Sequence, residues 1–244
     1  MSQEGFSKEE NINTWLHQIN EGAKSAVSVD CVIFGYDEGD LKLLSIDCNM
    51  PPYVGKKSLV GDLVDANENL DEAANRVLSE RAGIEGLYLE QVKTFGSPNR
   101  HPLGRVFSIA YYTIVPIADH MLKKVLDRNP QWVAINSINE MAFDHALILE
   151  SCLATLRRRI HTYPLAFNIL PNKFTVVQLQ TVYEKVLNKK LDKRNFRRKL
   201  KKLPYIIDRE EMQSDVNHRP ARLYSFNFEK YQRHLQKDKV NFNL

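Results

Sequence analysis

Cysteine is scarce in this sequence and never paired: Cys31, Cys48 and Cys152 are the only three, and no two of them stand at a CxxC spacing. An odd, dispersed set excludes a disulfide scaffold and a cysteine zinc site, and it points to a reducing compartment, the cytoplasm. Long apolar runs are missing as well. The longest candidate, 106–118, is broken by Ser108, Thr113 and Pro116, short of the roughly 20 apolar residues that a membrane helix needs. Early acidic residues, Glu4, Glu9 and Glu10, do not suit a signal peptide. The expectation is therefore a cytoplasmic protein with no membrane partner. Internal repeats and low-complexity tracts are also absent. What remains is a chain of 244 residues, 43% hydrophobic, enough for one large or two modest domains.

Acidic charge is lacking in one half only. From 161 to 244 there are 18 Lys and Arg against 8 Asp and Glu, whereas the first 160 residues hold 16 against 22. The mild net charge of +4 hides this division. It predicts two domains, 1–160 and 161–244, with a polyanion as partner of the second.

Along the first part, a short leading helix is expected at 8–20. Strands follow at 26–34 and 41–47, joined by a turn at 35–40, and then at 87–95 and 106–117 around a loop at 96–105 that carries Pro and Gly. A helix at 143–159 has Asp144 as its expected N-cap. Between the two strand pairs, Asn69 and Glu72 form a capping signature, Leu70, Ala73, Ala74, Val77 and Leu78 an apolar stripe, and Gly83 a helix stop. The order of elements is that of an α+β sandwich. Read alone, the helix near 69–83 fits an ordinary charged surface helix equally well.

The second part is more regular. Thr175 with Gln178 makes another capping box, and Val176, Leu179, Val182, Tyr183, Val186 and Leu187 recur at helical spacing up to a stop near Asn188. Asp192 then caps a second helix whose Phe196, Leu200 and Leu203 face inward. Its other sides carry Lys193, Arg194, Arg197, Arg198, Lys199, Lys201 and Lys202, a density that repels itself unless an anion satisfies it. Strands at 205–207 and 222–228 complete a wing. Helix, turn, basic helix and hairpin are the order of a winged helix-turn-helix, whose second helix reads the major groove while basic residues hold phosphates. The expected contacts with double-stranded DNA are Lys193, Arg194, Asn195, Arg197, Arg198, Lys201, Arg219 and Arg222. RNA fits less well, because no aromatic platform is interleaved with the cations.

Residues 62–84 resemble a Nudix box, with Glu68, Arg76, Gly83 and Ile84 in register. Asp62 stands where the box opens on Gly, and Val77, Glu80 and Arg81 stand at its three later acidic positions. Mg2+ needs several hard oxygen ligands, so valine and arginine on a face shared with Glu80 imply lost hydrolysis, with no catalytic residue and no metal ligand. Phe95-Gly96, Arg100, 104–106, 108–111, 143–145, the run DKRNFRRK at 192–199 and RPARLY at 219–224 together resemble the Nudix-related transcriptional regulators of the NrtR type. That resemblance spans about 26–228. It implies a Nudix-like α/β/α sandwich fused to a C-terminal winged helix-turn-helix, working as a homodimeric repressor on an operator. Its effector would be ADP-ribose or a sugar. The altered box, together with Val60 where Pro is usual, favours a sugar such as arabinose, and with it a role in sugar metabolism. Expected ligand contacts are Tyr53, Lys56, Glu68, Glu80, Arg100 and Arg105. An active hydrolase of ADP-ribose or a related diphosphate, using Mg2+ as cofactor, is the rival reading, and a ligand-free interaction module is a third.

Overall fold

The computed structural model describes residues 24–37, 39–117, 129–214, 217 and 219–235. The leading helix expected at 8–20 lies outside them. The first unit is built on β1 (Ala26–Asp37), whose residues are buried on both faces of the sheet from Val29 to Phe34. A strand so enclosed cannot alternate apolar with polar, which is why its sequence reads VDCVIF. On one edge β1 runs parallel to β6 (Val106–Pro116), which is flanked in turn by antiparallel β5 (Glu90–Phe95). Its other edge is divided. Residues 34–37 pair with β2 (Asp40–Asp47), and residues 28–31 pair with β4 (Val60–Leu63). The short β3 (Lys57–Ser58) and β7 (Gln131–Ala134) extend β2. The divided edge matters, because β2 and β4 splay apart there and leave a cleft over Asp30.

A helix covers each face. On one side α1 (Leu70–Ala82) sets Ala73, Ala74, Val77 and Leu78 against Val29, Cys31 and Ile33. Asn69 and Glu72 form the expected reciprocal cap, and Gly83 turns left-handed at φ 67°. On the other side α2 (His145–Arg159) sets Ile148, Cys152 and Leu156 against Val32 and Phe34. Each fully buried aliphatic side chain there stabilises the fold by roughly 1.5–3 kcal/mol.

The second core continues into the basic half. It joins Ile160 and Phe167 to β8 (Phe174–Thr175), to Leu179, Val182 and Tyr183 of α3 (Val176–Leu187), and to Phe196 and Leu200 of α4 (Lys193–Leu200). The wing is β9 (Ile206–Met212) with β10 (Arg222–Phe226), and β10 also pairs with β8. A closing helix, α5 (Phe228–Leu235), seats Tyr231 in this core. The layers match the expected Nudix-like α/β/α sandwich followed by a winged helix. Among the described residues no helix is long and apolar enough to cross a membrane.

Several expectations need correction. The strand expected at 87–95 starts at Glu90, and β1 runs to Asp37 while β2 begins at Asp40, so most of the turn expected at 35–40 is strand. Gly35 is a strand residue whose absent Cβ leaves room for Trp132, whose ring atoms would lie 2.5 Å from it. Asp144 occupies the N-cap position of α2 without capping it, because its carboxylate is engaged by Arg100. The first wing strand absorbs the acidic stretch 208–211 that sequence reading assigned to the connection, and the second ends at Phe226, two residues early.

Candidate functional site: a cleft on the Nudix-like sheet and a basic winged helix

The cleft over Asp30 has a volume of about 150 Å3, and its walls include Ser58, Gly61, Asp62, Arg100, Phe143 and His145. Gly61 is required by close approach: a Cβ there would stand 2.1 Å from the Asp30 carboxylate. The floor is a buried polar cluster. Arg100 reaches Asp144 through two parallel hydrogen bonds, Nε to Oδ2 at 2.9 Å and Nη2 to Oδ1 at 2.6 Å, and its Nη2 lies 3.6 Å from Asp30. Two-pronged pairing of this kind suits a guanidinium taken out of water. The Ser108 hydroxyl donates to Asp30. His145 Nδ1 accepts the backbone N–H of Leu59 at 3.0 Å, which leaves the proton on Nε2, 3.4 Å from Asp30 Oδ1. Burial holds this histidine below its usual range, although Asp30 and Asp144 pull the other way. With His145 neutral, the cluster holds one cation and two carboxylates. Its floor therefore favours hydrogen-bond donors, such as ligand hydroxyls, over an extra anion.

The box residues serve a different end. Val77 is fully buried beneath α1, so it does not share a ligand face with Glu80 and Arg81. Glu80 accepts from Arg76 at 3.1 Å. Glu68 receives two hydrogen bonds from Arg76 and one from the Asp65 N–H, and the Arg76 guanidinium holds its carboxyl down to about 2. Burial works to raise the Asp62 pKa, but pairing with Arg81 brings it below the usual carboxylate range. Mg2+ chemistry, which the fold implies, does not fit these side chains: each carboxylate already answers an arginine, and among the described residues no group of three His, Cys, Asp or Glu is placed to hold a metal ion.

Of the six expected ligand contacts, only Arg100 reaches the cleft wall, and its guanidinium is committed to Asp144 and Asp30. Tyr53 stands one layer out, its ring 4.8 Å from that of Phe143. Lys56 pairs with Glu140 at 2.7 Å. Arg105 lies over the Phe107 ring and donates to the Gly96 carbonyl. Glu68 and Glu80 lie on the α1 side with Arg76. The sequence singled out none of Asp30, Ser58, His101, Ser108, Phe143 and His145 as a ligand contact, although 108–111 and 143–145 are among the stretches that carry the family resemblance. One signal was available, since a carboxylate in the middle of the apolar run 26–34 is rare without a buried partner.

The DNA-directed residues lie as the helical spacing requires. Phe196 and Leu200 anchor α4 in the core, while Lys193, Arg194, Arg197, Arg198 and Lys201 are exposed. Asn195 is half-buried, its backbone N–H capped by Asp192 and its side chain accepting from Arg198 at 2.8 Å. Among the described residues no carboxylate lies within ion-pair distance of the seven cations at 193–202. A groove of about 730 Å3 separates this helix from the wing, lined by Arg197, Lys201, Arg219 and Arg222. Arg222 also pairs with Asp208 at 2.7 Å, which tempers its charge.

Residues 166–226 match the NrtR DNA-binding winged helix domain family. The chain is 29% identical over 219 residues to the ADPR responsive transcriptional repressor NtrR of Acinetobacter baylyi, covering 88% of this chain and 87% of that protein. It is 31% identical over 126 residues to the ADP-ribose pyrophosphatase of Methanocaldococcus jannaschii, covering 51% of this chain and 71% of the relative. The crystal structure of Shewanella oneidensis NrtR complexed with a 27mer DNA superposes with a TM-score of 0.71 at 25% identity, over 84% of this chain and 95% of that one. The likeness to a known regulator thus runs along almost the whole of both chains, and the chain belongs to the NrtR-type regulators, a Nudix-fold domain joined to a DNA-binding winged helix domain.

Proposed function

We propose that this protein is a transcriptional repressor whose domain 1–160 binds a nucleoside diphosphate sugar, ADP-ribose or a close relative, without cleaving it, and whose domain 161–244 binds operator DNA. One observation carries the reading: α2 joins the two sites. It begins in the cleft, with Asp144 and His145, and ends on the winged helix. There Arg157 Nε donates to the Val186 carbonyl at 3.0 Å, and the Tyr183 hydroxyl donates to the Ile160 carbonyl at 3.2 Å. Lys185 of α3 also pairs with Asp40 of β2 at 2.7 Å. A ligand that moves the first turn of α2 therefore moves the seat of α3. It acts on DNA affinity only through its different affinities for the two arrangements. A homodimer on a two-fold operator, with half-sites about one helical turn apart, is part of this reading.

The choice of effector departs from the sugar expected above. That expectation rested on the altered box, yet of the altered box positions only Asp62 reaches the cleft wall, and the floor of Asp30, Arg100, Asp144 and His145 is built by other elements. The relative covered almost end to end is by name ADPR responsive, and none of the comparisons supports a sugar. Calorimetry of the full chain with ADP-ribose, followed by chromatography of the mixture after incubation with Mg2+, tests the proposal. The expected result is saturable binding with ADP-ribose recovered intact. Turnover abolished by Glu80→Gln would instead establish a hydrolase, and saturable binding of arabinose with none of ADP-ribose would establish the sugar.

A further inference from the structure

The mouth of the cleft carries an aromatic group that the proposed function leaves unused. Phe143 is half-buried between three rings: His101, parallel to it within 7° at 5.1 Å, Tyr53 at 4.8 Å and His145 at 5.1 Å. Its backbone lies in the left-handed region at φ 52°. For a bulky side chain that conformation is strained, and such strain persists where the surroundings impose it, commonly at ligand clamps. The conformation carries the ring to the cleft wall while the next two residues, Asp144 and His145, turn into the polar floor.

His101 is the least secured member of the group. It sits in the loop 97–105, most of which is exposed, and Leu103 beside it is 75% exposed. Among the described residues its ring makes one hydrogen bond, a long one of 3.3 Å accepted from the Leu103 N–H of the same loop. Burial and the neighbouring Arg100 hold it below the usual histidine range, so near neutral pH it is a flat uncharged ring lying against Phe143. Among the described residues the loop is held mainly by Arg100, through Asp144 and Asp30, and by Arg105, which donates to the Gly96 carbonyl and whose own carbonyl accepts from the Ala26 N–H.

Resting on the reading of the cleft as a nucleotide site, we infer that Phe143 is the base-stacking residue and that His101 occupies the place of the base until the ligand arrives. The planar purine then stacks on the Phe143 face vacated by His101, while the ribose end points its hydroxyls to Asp30 on the floor. Departure of His101 pulls on the residue beside it, Arg100, whose two bonds end on Asp144 at the start of α2. Base recognition and the movement of α2 are in this way one event.

Two substitutions test the inference with opposite signs. Phe143→Asn removes the ring and keeps a residue that tolerates positive φ. It is expected to weaken ADP-ribose and adenosine monophosphate by about tenfold or more, the range for loss of one base–aromatic stack, while ribose 5-phosphate binds as before. His101→Ala removes the competitor and is expected to tighten both nucleotides a few-fold. Calorimetry with the full chain reads each affinity, and the thermal midpoint confirms folding. Weakening by both variants, or by neither, overturns the inference. If adenosine monophosphate binds in a Phe143-dependent way and ADP-ribose does not bind at all, the effector reading falls and the stacking site stands. If neither nucleotide binds the unaltered protein, both fall.

Discussion

Two helices of this protein are rich in charge, and they treat it in opposite ways. In α1 and the loop before it, Arg76 and Arg81 are each matched by a carboxylate, from Glu68, Glu80, Asp65 and Asp62. In α4 and the residues after it, the cations of 193–202 meet no carboxylate within ion-pair distance among the described residues. Self-satisfied charge holds a local structure together; unsatisfied charge awaits a partner outside the molecule. The contrast separates a self-paired box helix from a helix left free to meet a polyanion, and it can be tested from both sides.

The largest effect is expected on the unsatisfied side. Replacing Arg197 and Arg198 together by Ala should lower operator affinity at least about tenfold and flatten the salt dependence by nearly two in the slope of log K against log salt, since each phosphate contact contributes about −0.9. Anisotropy titrations across salt would read this. An unchanged slope would mean that α4 does not hold phosphates.

On the satisfied side, Val77→Glu should fail to restore a metal site. It buries a carboxylate in the core beneath α1, which should cost several kcal/mol and appear as a lower thermal midpoint with no gain in Mg2+ affinity. Removing a partner from the cleft floor should cost about as much. Asp144→Ala strips Arg100, whose side chain is only 3% exposed, of its bidentate partner. Breaking a buried pair costs about 3–5 kcal/mol, or on the order of 10 °C in a protein of this size.

Acid should act on the neutral histidines. Burial lowers His145, and likewise His101 and His161, below the usual value of about 6.5. The unfolded chain therefore takes up protons first as pH falls. Their contribution to stability is complete above about pH 6.5 and is lost as pH drops toward the lower folded values. Urea midpoints between pH 7 and 5 should decline, and His145→Gln should shallow that decline. The smallest effect belongs to Glu80→Gln, which breaks one exposed i,i+4 pair with Arg76 and should shift stability by no more than about 0.5 kcal/mol.

Much of the fold was legible because local chemistry dictates it. The capping pairs Asn69 with Glu72 and Thr175 with Gln178, the stop at Asn188 and the stripe Phe196–Leu200 are all properties of neighbouring residues, and the structure reproduces each. The DNA face was legible for the same reason, since the residues of one short helix define it. The cleft was not. Asp30, Leu59, Arg100, Ser108 and His145 come from five separate places in the chain, and they meet because β4 and β6 pair with opposite edges of β1 while α2 starts over its face. Helical spacing gave Val77 two readings, a place in the apolar stripe and a place on a face shared with Glu80; the structure keeps the first and removes the second, because a residue within a turn of Glu80 can still belong to the buried stripe.

The central claim is that the cleft and the basic helix communicate through α2. It is tested most directly by titrating the full chain onto its own upstream DNA with and without saturating ADP-ribose, at one salt concentration. ADP-ribose should weaken DNA binding at least about fivefold, within the usual range of coupling energies, and Arg157→Ala with Tyr183→Phe should diminish this effect while ADP-ribose still binds. Identical DNA affinity in the presence and absence of bound ADP-ribose would contradict it.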